Sequence, residues 1–183
     1  MELWDIYDSN KQLTGRTMKR NDWCLKDGEY HLTVLGVVQH TDGRFLITRR
    51  VITKAWAAGW WDVPGGACMA GESSREAVNR EVLEETGLDV SALPGEPLVT
   101  YHRENPGEGD NYFVDCYRFT MNFKLSDVKV QEAEVLEKTP FSSINAGFCA
   151  MSGEIIFPVV RSTISAFPTS RPASLALSTK RYL

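Results

Sequence analysis

Residues 66–88 read GACMAGESSREAVNREVLEETGL, and the second half of this stretch carries the marks of a single helix with both ends encoded. Ser73 is a good N-cap, Glu76 three residues later completes a capping box, and Gly87 stands where a left-handed C-terminal residue is wanted. The spacing therefore predicts a helix from about Ser74 to Thr86. A helix turns about 100° per residue, which puts Glu81, Glu84 and Glu85 within an arc of roughly 100° on one side. Val78, Val82 and Leu83 fall on the adjoining side. An apolar stripe is thus expected to anchor the helix while three carboxylates point into one small volume. Like charges at these spacings repel, and a hard divalent cation held by oxygen ligands reverses the sign.

Taken alone, EVLEETG also fits the solvated acidic face of an amphipathic helix. The turn Pro64-Gly65-Gly66, Glu72 and Arg80 add what such a face does not need. Arg80 is placed to bind carboxylates such as Glu72 and so hold the acidic face in register. Mg²⁺ or Mn²⁺ suits ligands of this kind, with magnesium keeping waters and adding substrate phosphates.

Upstream, HLTVLGVVQ from His31 and FLITRR, joined by a turn with Asp42-Gly43, predict a hairpin, and a short strand is expected near 61–63. Downstream, LVTYHR and YFVDCYRF read as strands separated by ENPGEGDN, a polar loop long enough to overhang a site. A further strand is expected near 133–138, with late helices near 142–150 and 158–167 covering a sheet face. Residues 1–30 read as an N-terminal extension of short strands and turns, and the Ser/Thr/Pro/Ala-rich tail from 168 as poorly ordered. The class is α+β, one domain over 1–183 with a mixed or mainly antiparallel sheet between helices.

At 183 residues and a net charge of −4, the chain has no general basic surface for nucleic acid or anionic membrane. An acidic protein that holds an acidic substrate needs a local positive charge, which a bound cation supplies. Cys24, Cys68, Cys116 and Cys149 form no CxxC pair, no apolar run reaches the roughly 18 residues of a membrane span, and Met1 to Asp8 has no secretory pattern. A cytoplasmic protein, monomer or homodimer, is expected.

Every fixed position of the Nudix box, GX5EX7REUXEEXGU, is matched by Gly66, Glu72, Arg80, Glu81, Val82, Glu84, Glu85, Gly87 and Leu88. By these nine positions the chain is identified as a member of the Nudix hydrolase family. The resemblance implies a Nudix-type α/β/α sandwich and hydrolysis of a phosphoanhydride in a small diphosphate-containing molecule. It also implies Glu81 and Glu85 as metal ligands, Glu84 as ligand or assistant, and the backbone carbonyl of Gly65 as a further ligand. A lowered water pKa would then furnish the nucleophile. The base is a box glutamate or one outside the box, where Glu134 is the first candidate and Glu132 the second, a solvated surface glutamate being the alternative for either.

LWDIYDSN together with residues 30–66 also resembles the isopentenyl-diphosphate isomerase branch of the superfamily. That branch depends on a reactive cysteine, and aligning on Glu72 puts Gly65 in its place, Cys68 falling three residues late and Ala67 standing where a metal-binding histidine would follow. Glycine carries no thiolate chemistry. Three functions are therefore weighed: a hydrolase of nucleoside di- or triphosphates or related conjugates, an isomerase of isopentenyl diphosphate, and a non-catalytic nucleotide or metabolite sensor. His31 is read as a hydrogen-bonding partner or a site residue. Arg49, Arg50 and Lys54 are read as phosphate contacts or a solvated turn, and Trp56, Trp60, Trp61, Tyr101 and Tyr112 as nucleobase platforms or core.

Overall fold

The computed structural model describes residues 1–53 and 58–130, together with the backbone of Val135–Phe141. The late helices, the tail, Lys54, Trp56, Glu132 and Glu134 lie outside the described residues. The centre of the sheet is β3 (His31–His40), which runs parallel to β8 (Tyr112–Met121) over ten paired positions. β7 (Val99–Arg103) is antiparallel to β8 on its far side. β4 (Phe45–Arg50) follows β3 through a turn in which Gly43 has φ +92, and β5 (Trp61–Asp62) lies antiparallel to β4. A third short strand, β6 (Gly65–Ala67), pairs with the first half of β3, and β9 (Val135–Phe141) pairs with β4. The sheet is therefore mixed, as expected.

Helix α1 spans Ser74–Thr86, and its ends match the local chemistry. The Ser73 side chain accepts from the Glu76 N–H, Glu76 reaches back to the Ser73 N–H at 2.8 Å, and Gly87 is left-handed with φ 71. The helix lies on the sheet face formed by Leu32, Val34 and Val38, against which Val78 and Val82 are fully buried. Burial of each such valine contributes roughly 1.5–3 kcal/mol. Gly36 permits the close approach, since a Cβ there would strike Val82 and Val78. Leu83, expected in the same stripe, is instead 49% exposed. Val78, Val82 and Thr86 complete the buried row at i, i+4 and i+8, and Leu83 is turned outward from it. On the opposite face Val37, Phe45, Ile47, Val63 and Cys116 form a second cluster, as strand alternation requires.

The first 30 residues are integral to this body. β1 (Leu3–Tyr7) and β2 (Leu13–Lys19) form an antiparallel pair that packs Trp4, Ile6, Met18 and Leu25 beside Ala67 of β6. Tyr7 and Tyr30 exchange backbone hydrogen bonds at 2.7 and 2.9 Å, and the Trp4 ring stacks on His31 at 4.6 Å. Loop 104–111 is tied to the same segment: the Leu25 N–H donates to the Gly109 carbonyl at 3.2 Å, and the Tyr30 hydroxyl to Glu104 at 2.6 Å.

Candidate active site

β6 and α1 face each other across the box. Register with β3 sets Gly66 opposite Val34 and Gly65 opposite Leu35. A Cβ at Gly65 would run into the Val34 carbonyl and the Leu35 side chain, and one at Gly66 would occupy the place of the Glu81 carboxylate. Both glycines are required by close approach, one to the strand beneath and one to the carboxylate above.

Arg80 organises the acids around it. Its Nε donates to Glu72 Oε1 and its Nη2 to Glu72 Oε2, both at 2.9 Å, a bidentate pair. Nη1 donates to Glu81 Oε1 at 2.6 Å and to Glu84 Oε2 at 3.4 Å, while Nη2 also reaches the Ala67 carbonyl at 3.1 Å. Glu72 Oε2 accepts a further hydrogen bond from the Met69 N–H, so the loop before the helix is gripped by the same carboxylate. The hydrogen bonds to Glu72 hold the Arg80 guanidinium firmly charged. Burial pushes the Glu81 carboxyl above the usual range although Arg80 pulls the other way.

The structure thus brings Glu72, Glu81 and Glu84 onto one guanidinium, with Glu85 half-buried at the next position. It does not converge Glu81, Glu84 and Glu85 onto one point. Among the described residues no three His, Cys, Asp or Glu side chains are gathered closely enough to hold a metal ion. The Glu84 side chain is 51% exposed against 13% for Glu81. Arg80 offsets the charge of all three carboxylates it meets, with its shortest contact to the less exposed Glu81.

Comparison with known proteins agrees with this arrangement. A family model described as NUDIX domain matches residues 29–142. The chain belongs to the Nudix family. An uncharacterised Nudix hydrolase of Listeria monocytogenes is 32% identical over 157 residues, covering 85% of this chain and 89% of that one. The CTP pyrophosphohydrolase of Escherichia coli is 32% identical over 76 residues, covering 42% of this chain and 54% of that one. The fold is shared with a crystal structure of a Deinococcus radiodurans protein at TM-score 0.67 and 21% identity, over 84% of this chain and 91% of that one. The fold expected from the box, a Nudix-type α/β/α sandwich, and the assignment as a Nudix hydrolase both stand.

Nudix hydrolases work with divalent metal ions, and the residues present fit one in two respects. The box supplies hard oxygen donors from Glu81, Glu84 and Glu85. Gly66 also lets the Glu81 carboxylate lie against the β6 backbone, in the space a β-carbon would fill. The isomerase-like flank gains no chemistry from the structure. Cys68 is 3% exposed, and burial pushes its thiol far above the ordinary value, away from the thiolate a nucleophile needs.

Of the other candidates, His31 is buried, with Nε2 at 3.1 Å from Asp110 Oδ1 and Nδ1 without a hydrogen-bond partner. Arg49 donates to the Gly59 carbonyl at 2.9 Å, and Arg50 lies 3.9 Å from Asp62. Trp61 packs at the edge of the second apolar cluster. Loop 104–111 is fastened to residues 25–30. Sequence reading missed Asp115. This carboxylate, 1% exposed in β8, meets Lys11 Nζ, Ser74 Oγ and Thr100 Oγ1, each at 2.5 Å. A lone acid inside the apolar run YFVDCYRF was the available signal, because a buried charge has to be paired.

Proposed function

We propose that the chain hydrolyses a phosphoanhydride bond in a nucleoside di- or triphosphate, or in a related nucleoside diphosphate conjugate. The observation that carries the proposal is the Glu81 carboxylate, seated against Gly66 and held by an Arg80 that is itself clamped by Glu72. Glu81, Glu84, Glu85 and the Gly65 carbonyl are the residues that would be drawn together to hold Mg²⁺ or Mn²⁺, which would polarise the anhydride and acidify a water. Glu72 and Arg80 keep the helix-borne acids in place. Glu84, half-exposed, is one candidate to accept the proton from the attacking water, with Glu134 and then Glu132 the candidates outside the box. The CTP pyrophosphohydrolase relative makes CTP the first compound to try. The substrate is a small molecule, met in the cytoplasm.

The test is an activity screen with Mg²⁺ and with Mn²⁺ over nucleoside triphosphates, dinucleotides, nucleotide sugars and isoprenoid diphosphates, reading release of phosphate or pyrophosphate. Metal-dependent release is expected, falling on the order of 10²–10⁴-fold in whichever of Glu84→Gln or Glu134→Gln removes the base. Tight nucleotide binding without turnover, unaltered by Glu84→Gln and Glu85→Gln, would replace the hydrolase with a sensor. Allylic isomer formation from isopentenyl diphosphate would refute it in favour of the isomerase.

A further inference from the structure

We infer that the N-terminal hairpin is a clamp on the box, with Asp5 and Lys11 acting as positioning residues for the Glu72–Arg80–Glu81 array. The inference rests on the reading of the box as the reactive centre. The segment between β6 and α1 is held by the hairpin directly at its middle and, through Asp115, at the helix start. At the middle the Ala70 N–H donates to the Leu3 carbonyl and the Gly71 N–H to Asp5 Oδ2, both at 2.7 Å. At the far end Lys11, in the β1–β2 turn, pairs with Asp115 Oδ1, while Asp115 Oδ2 accepts from Ser74, the first residue of α1.

Between these two grips stand Glu72 and the helix cap Ser73. Glu72 makes its bidentate pair with Arg80 from there, and Arg80 carries the constraint to Glu81. Gly71 sits at φ +80, so the loop takes a conformation that most residues resist. These polar contacts add direction to the apolar packing of the hairpin beside Ala67. An open recess of ≈ 570 Å³ separates hairpin from loop and is lined by Asp5, Tyr7, Lys11, Gln12, Gly71 and Glu72. Lys11 itself is left-handed at φ 60, and its ammonium meets a carboxylate whose side chain is 2% exposed. A buried carboxylate held from three sides, by Lys11, Ser74 and Thr100, tolerates little displacement, which makes the turn a fixed reference for the start of the helix.

The test compares the full chain with Asp5→Ala, Asp5→Asn, the double variant Lys11→Met/Asp115→Asn, which leaves no buried charge unpaired, and Arg16→Ala as a hairpin control away from the loop. Hydrogen exchange at the Gly71 amide and the Arg80 Nε–H is read on the protein alone, and kcat and KM on the best substrate of the screen. Asp5→Ala and the double variant are expected to speed both exchanges about tenfold. They should also lower kcat on the order of 10- to 100-fold with KM nearly unchanged. Asp5→Asn, which keeps an acceptor oxygen, should recover most of both, and Arg16→Ala should change neither.

Unchanged Arg80 exchange in Asp5→Ala would overturn the clamp, as would a rise in KM alone, or a kcat loss that vanishes on cooling well below the thermal midpoint. If the wild-type chain turns over nothing in the screen, the proposed function fails by itself. The clamp is then decided by the Arg80 exchange.

Discussion

The Glu81 carboxylate occupies the space that a β-carbon on Gly66 would need. The two residues lie on different elements, and their fit is set by the pairing of β6 with β3 on one side and by α1 packing on the other. Gly66→Ala therefore has to displace Glu81 or shift β6. Turnover is expected to fall on the order of 100-fold while the fold survives, because a misplacement near 1 Å at a reacting centre has that effect. Gly36→Ala is the contrasting case. Its methyl would meet Val82 and Val78 in the core, and overpacking of this sort costs about 1–3 kcal/mol of stability. Steady-state rates beside urea denaturation separate the two, and a Gly66→Ala enzyme of normal activity would remove Glu81 from the centre.

Arg80 acts by shape as well as by charge. It serves Glu72 bidentately and reaches Glu81, Glu84 and the Ala67 carbonyl with the same planar group. A lysine ammonium reproduces the charge but not the fork. Arg80→Lys is thus expected to lose most of the activity. Arg80→Ala, which leaves the part-buried Glu81 carboxylate without its cation, should lower stability by about 1–3 kcal/mol. Denaturant midpoints and kcat measured on both variants check this, and an Arg80→Lys protein with wild-type kcat would show that charge alone suffices.

The helix cap is a local device with a local cost. The Ser73 hydroxyl oxygen accepts from the Glu76 N–H, and Glu76 Oε2 accepts in turn from the Ser73 N–H at 2.8 Å and from its hydroxyl at 2.6 Å. Ser73→Ala removes an N-cap and should lower stability by about 1 kcal/mol. Thermal denaturation reads the change directly, and no shift in midpoint would mean that Asp115 and Ser74 alone hold the helix start.

What the sequence disclosed follows the range of the interactions concerned. Helix α1 is legible to the residue because its cap, its capping box and Gly87 act within a few positions of one another. β6 was not foreseen, since Gly65-Gly66-Ala67 has no strand propensity and is extended only by pairing with β3. β9 was expected to stop at 138 and runs to Phe141. Pro140 reads as a breaker, yet β9 pairs with β4 alone among the described residues, and an edge strand tolerates proline. At the site, the association of Arg80 with Glu72 was readable from the box, whereas the sharing of its Nη1 between Glu81 and Glu84 was not. Spacing fixes the side of the helix on which a carboxylate stands but not the rotamer it takes beside a guanidinium. Asp5 and Lys11 were hidden for a further reason, since their partners are 66 and 104 residues away.

Asp62 offers a pH dependence that is independent of the box. It is buried in β5, its Oδ1 accepts from the Val63 N–H at 2.8 Å, and Arg50 lies 3.9 Å from Oδ2. Burial, the largest influence, pushes its carboxyl up to about 6, with the Val63 hydrogen bond and Arg50 opposing. Between its ordinary value near 3.8 and about 6, the folded state holds this proton more tightly than the unfolded state does. Stability contributed by this group therefore falls as pH rises through that window, by about 3 kcal/mol in total, and is regained below pH 4. Asp62→Asn keeps the shape and the acceptor for Val63 while removing the buried charge. The variant should be more stable than the parent at pH 8, and the gap should close by pH 4. Urea denaturation of both proteins across this range is decisive: a gap independent of pH, or a less stable variant at pH 8, would mean that Arg50 fully compensates the Asp62 charge.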